Sequence, residues 1–122
     1  MILFAKRRER LRNGAGVGFA IDMFGRGVLG KSKEENAALK KPFLQDRALL
    51  KRRVLAGLAA ASSLSCVDST RIGAVGFGFG GICSLDLARS GKDLNCITIL
   101  PQQGLGFPFG IFSMNFFTKP VA

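Results

Sequence analysis

The side chains and backbone groups of this chain that could do chemistry converge on one glycine-rich turn. The stretch "GFGFGG", Gly76 to Gly81, follows the apolar run Ile72 to Phe77 and opens into "ICSLDLARSG". Read as GxGxxG between a strand and a helix, it offers backbone N–H groups and a helix dipole to a dinucleotide pyrophosphate. That chemistry also needs an acidic residue at the end of the next strand to hold the ribose. Here "CITIL" is followed by Pro101 and Gln102, and Asp93 comes before it. Read as G-x-(Ser or Cys)-x-G, the same turn is a nucleophile elbow, whose flanking glycines let the chain bend sharply enough to lift the middle side chain above a sheet. The frame is then Gly76, Phe77, Gly78, Phe79, Gly80, with Gly81 behind it.

The remaining candidates are few. Cys66, Cys83 and Cys96 form no CxxC pair, and the chain has no histidine, so the sequence implies no metal site and no cofactor. Without a neighbouring base, Cys66 and Cys83 read as small packing residues that stay thiols at neutral pH. The serines of "SSLSCVD", Ser62, Ser63 and Ser65, are ordinary turn chemistry, and Asp22 reads as the brace of a loop.

A sheet and its helices must position the turn. "GVGFAID" and "RIGAVGF" (strand at about 71 to 77) read as buried strands, and "NCITIL" as a third. Between the first two lies a helical region, Ser32 to Ser65, with Pro42 expected to end or start a helix. One face of it, Leu49, Leu50, Val54, Leu55 and Leu58, is expected on the sheet. The alternation of strand and helix implies an α/β domain with a parallel sheet. Residues 2 to 12 read as a short basic helix ending at Asn13-Gly14. After Leu100, "PQQGLGFPFGIFSMNFFTKPVA" fits neither periodicity, so the expected division is a domain over 1–100 and an apolar tail over 101–122.

Composition bounds the partners. With 122 residues there is room for one core, and an apolar content of 48% argues against disorder. The formal charge of +10 leaves nucleic acid or an acidic surface open as a partner. However, "AKRRERLR" and "KRR" carry no interleaved aromatics for base stacking and read as solvated faces. The start has the wrong order of charge and apolar residues for a secretory signal. The apolar run Gly104 to Phe117 is too short and too broken to span a bilayer. A soluble, cytoplasmic protein is the expectation.

Taken in order, "AIDMFGRG", "AGLAAASSLSCVDSTRIGAVGF", "FGG" and "LDLARSG" resemble the dienelactone hydrolase family of α/β-hydrolases, from about Gly14 to Asn95. The resemblance implies a partial α/β-hydrolase-like three-layer sandwich, incomplete at both ends. It also implies hydrolysis of a small carboxylic ester or lactone by an elbow cysteine, with a histidine base and an aspartate partner. The family's nucleophile position falls on Gly78, which has no side chain. The Phe79 N–H is the matching oxyanion donor, and the usual second donor would fall before Met1. Asp86 and Asp93 are the aspartates that follow the elbow, and no histidine accompanies them, so the chain is expected to be inactive.

The resemblance further implies a strand between "GVGFAID" and "IGAVGF" that the sequence does not supply. A truncated or rearranged product is therefore expected to pair differently, stay loosely packed, or self-associate through an exposed sheet edge. A non-catalytic binding module and a dinucleotide-binding fragment are the alternative readings.

Overall fold

A computed structural model describes residues 1–7, 16–100 and 114–116, with the side chains of residues 6, 7, 100 and 114–116 excepted. The first six-residue strand, β1, is Ile2–Arg7, where a basic helix was expected over 2–12. The strand is selected by pairing on both of its edges. Leu3 and Ala5 are buried while Ile2 and Phe4 point the other way and are exposed, the two-residue alternation that a paired strand imposes on an all-apolar run. Residues 8–12 of the expected helix lie outside the described residues.

The strand β2, Gly16–Ala20, pairs antiparallel with β1, Leu3 opposite Phe19. Next comes α1, Lys33–Gln45, with Ser32 as N-cap accepting the Glu35 N–H. Pro42 neither starts nor ends a helix, contrary to expectation. It sits in the last turn of α1, where its own carbonyl accepts the Asp46 N–H at 2.9 Å, and the break falls at extended Asp46. Asp46 then caps α2, Arg47–Ser63, through the Leu49 N–H. The face predicted for α2 is the one used, since Leu50, Val54 and Leu58 are buried and Leu49 and Leu55 pack against the core.

Strand β3, Val67–Phe77, leads into α3, Phe79–Arg89, and α3 returns through Gly91 to β4, Cys96–Leu100. A three-residue strand, β5, Met114–Phe116, adds to β4 antiparallel. It lies inside the stretch where no element was expected, and residues 101–113 and 117–122 lie outside the described residues.

The sheet order is β2-β1-β3-β4-β5. The α/β expectation and the partial α/β-hydrolase-like architecture hold, but the sheet is mixed, not parallel. Among the described residues only β3 and β4 run parallel, joined by the crossover helix α3. The slot between β2 and β3 is not vacant, because β1 fills it antiparallel to both neighbours, with Leu3 opposite Ala74 and Ala5 opposite Ile72. The gap is thus closed by pairing differently.

Leu3, Ala5, Ile72, Ala74 and Ile97 line one face of this sheet. With α2 and α3 they form one core cluster that includes Val54, Leu58, Cys83 and Leu87. The opposite face carries Phe4, 53% exposed, and Phe77, 62% exposed. Among the described residues the helices cover one face, so the second helical layer of a three-layer sandwich is not among them. No helix among the described residues is long and apolar enough to cross a membrane.

Candidate functional site

The strand β3 and the helix α3 meet at Gly78, and the backbone there is a true elbow. Gly78 has φ 51° and ψ −116°, a region that side chains rarely adopt and that costs a non-glycine residue about 1–3 kcal/mol. It is the N-cap of α3 but has no side chain to cap with. Its carbonyl instead accepts the N–H groups of Gly81 at 2.9 Å and Ile82 at 3.3 Å. The N–H groups of Phe79 and Gly80 precede these first helical bonds, in the first turn of α3, the place in an elbow from which an oxyanion donor is drawn.

The elbow is possible because strand and helix approach so closely. A Cβ on Gly76 would overlap the Gly80 carbonyl and meet the Ser84 Oγ at 2.5 Å. Only glycine lets α3 turn back over β3 at that height. Gly80 is hemmed in as well, since the Met1 backbone nitrogen would lie 3.0 Å from an added Cβ. Gly76, Gly78, Phe79, Gly80 and Gly81 lie together in this one turn, and Gly78, the position onto which the resemblance maps the nucleophile, has no side chain.

An aromatic cluster stands beside the elbow, and sequence reasoning did not foresee it. Phe24 stacks on Phe79, with ring centroids 5.9 Å apart and planes 9° apart. Phe43 tilts against both at 6.0 and 6.2 Å. The Arg53 guanidinium lies 5.9 Å from the Phe43 centroid. The signal available in sequence was Phe24, set two residues beyond Asp22. Asp22 Oδ1 accepts the N–H groups of Phe24 and Gly25, both at 3.0 Å, and so fixes the loop that delivers the ring, as expected of a bracing aspartate.

None of the other candidates reaches the elbow as a reacting group. Cys83 is one turn into α3 and fully buried, and burial pushes its thiol up to about 11, so it is a protonated packing residue at neutral pH. Cys66 is half-buried in the turn before β3, and Cys96 is half-buried on β4 opposite Gly73. Ser62 and Ser63 donate to the Leu58 and Ala60 carbonyls within α2. Asp86 is 7% exposed, and its two oxygens accept Arg47 Nε at 2.8 Å and Nη2 at 2.6 Å. This bidentate bond holds the Arg47 guanidinium above its ordinary value and commits Asp86 to tying α3 to α2. Asp93 lies in the exposed turn before β4. Among the described residues no group of His, Cys, Asp or Glu is placed to hold a metal.

Comparison with known proteins points to one family. The profile of the dienelactone hydrolase family matches residues 8–99. An uncharacterized protein of Caenorhabditis elegans is 55% identical over 40 residues, which are 33% of this chain and 25% of that protein. The crystal structure of a dienelactone hydrolase-like promiscuous phosphotriesterase from metagenomic libraries superposes with a TM-score of 0.59 at 31% identity. The superposition covers 69% of this chain and 34% of that one. This chain thus spans a quarter to a third of the length of these relatives. Since the family profile spans most of the sequence and the likeness in three dimensions centres on the same architecture, the chain belongs to the dienelactone hydrolase family.

Proposed function

We propose that this chain is a non-catalytic member of the dienelactone hydrolase family, a pseudoenzyme that keeps the elbow's backbone without its ester-cleaving chemistry. The observation that carries this reading is Gly78, which adopts the strained nucleophile conformation with no side chain to attack a carbonyl. No histidine stands anywhere in the chain to serve as base. The two effects compound, because nucleophile and base act as one unit, and what remains is the rate that backbone donors and binding supply, about 10³–10⁴-fold over water in a complete site. Buried Cys83 does not substitute, since its thiolate is scarce at neutral pH.

Hydrolysis of an activated phenyl ester, measured before and after thiol blocking, tests this. The expected outcome is a rate near background that blocking does not change. A thiol-sensitive rate well above background overturns the reading.

A second reading, a binding module with a basic surface, draws support from α1 and α2. Lys40, Lys41, Lys51 and Arg52 lie along them with no carboxylate partner among the described residues. Such a face gains affinity for a phosphate-rich partner by counterion release, so retention on heparin should collapse with moderate salt. Absence of retention removes the reading.

A further inference from the structure

We propose that β2 is a dimerisation edge, along which two copies of this chain pair antiparallel, strand β2 against strand β2, into one continuous sheet. The phase of its hydrogen bonds points to this. The Ile21 N–H donates to the Met1 carbonyl at 3.1 Å. In an antiparallel ladder the directly bonded pairs recur every second residue, so Leu3–Phe19 and Ala5–Val17 are the next such pairs. The N–H and C=O groups of Gly16, Gly18 and Ala20 therefore point away from β1. Among the described residues β2 pairs with β1 alone, and no other element takes these groups.

Edges left like this are normally blunted by a lysine, a proline, an inward charge or a bulge. The sequence Gly16–Ala20, "GVGFA", has none of these, and its ladder with β1 runs without a shift. A strand of this kind is self-complementary. A two-fold axis at Gly18 sets Gly18 against Gly18 of the second copy, and Gly16 against Ala20 both ways, so that each outward donor finds an outward acceptor. The residues whose groups point outward at the seam, Gly16, Gly18 and Ala20, are small and exposed, so no bulky side chain stands against a second backbone. Across the axis the exposed Ile2 and Phe4 of the two copies would extend one apolar face. The charge of +10 opposes the approach of two chains, which makes the pairing one that salt strengthens.

Sedimentation equilibrium of the full chain from micromolar to millimolar concentration tests the proposal. The weight-average mass should rise from one chain to two and level there, at lower concentration when salt is added. Gly18→Pro removes an outward N–H that β1 does not use, and Gly18→Lys sets two charges together on the axis. Each should move the dimer midpoint at least about tenfold upward in concentration, while far-UV circular dichroism stays as in the unaltered chain. A mass of one chain throughout overturns the proposal. So does growth past two chains without a plateau, or a dimer that survives both substitutions. Phe4→Gln separates edge pairing from packing of the open faces, and loss of the dimer in this variant alone overturns the edge.

Discussion

At the scale of single residues, two glycines carry the account and they act in opposite senses. Gly76 is required by space, and Gly78 is required by dihedral angle. The Gly76→Ala substitution drives a methyl into the Gly80 carbonyl and the Ser84 hydroxyl, both on the helix that turns back over the strand. It should lower the urea-unfolding free energy by about 3 kcal/mol or more, because backbone must move to relieve the overlap. Both glycines were legible from their spacing, which is a property of the elbow backbone. The aromatic cluster was not, because Phe24, Phe43 and Phe79 come from three distant parts of the chain and no spacing rule joins them.

Cys83 makes a second prediction at this scale. Its folded value of about 11 lies above the ordinary thiol value of 9.0, so between these limits the unfolded chain loses a proton that the folded one keeps. Stability contributed by the neutral thiol is full below pH 9.0 and is lost progressively toward pH 11. Chemical denaturation across this range should show a downward slope that is shallower in Cys83→Ala, whatever the absolute cost of that substitution. Equal slopes would remove the buried thiol as the cause.

At the scale of elements, the Arg47–Asp86 pair decides how α2 and α3 stay in register. Asp86 is buried while Arg47 is partly exposed. Removing the arginine strands a carboxylate that, among the described residues, keeps only Arg89 Nη1 at 3.9 Å as a cationic neighbour. Arg47→Ala should cost about 1–3 kcal/mol, between the values for an exposed and a fully buried pair, as a shift in the urea midpoint. Asp86→Asn, which leaves no buried charge, should cost less. The reverse order would show that the pair is not what couples the helices.

The elements also show where sequence periodicity is decisive and where it is not. The α2 face was legible because seventeen residues repeat the helical pattern several times. In β1, six residues of apolar-then-basic text satisfy a helix and a strand equally, and only the slot between β2 and β3 selects the strand. The break between α1 and α2 was placed at Pro42 by rule. In the fold it falls at Asp46, because a side-chain cap for the next helix outweighs a proline already in the last turn.

At the scale of the whole molecule, one core cluster joins all three helices to the sheet. Unfolding in urea, followed by far-UV circular dichroism, should be a single cooperative transition. A featureless drift would contradict a packed core. The mixed sheet is the molecule's answer to a strand order that α/β crossovers alone could not complete. An antiparallel strand needs no crossover helix, so six residues suffice to join β2 to β3. That solution was not legible, because it depends on which strand edges remain open once the others have paired.

The most direct test of an elbow without its nucleophile is intact-mass spectrometry after exposure to an activated ester, comparing the unaltered chain with Gly78→Cys. The account predicts no acyl adduct on the unaltered chain. On Gly78→Cys it predicts one stable adduct, in the peptide that spans the elbow, without turnover, because the thiol stands at the turn but no base returns it. An adduct with thiol-sensitive turnover on the unaltered chain, or a folded Gly78→Cys that is not acylated, would contradict it.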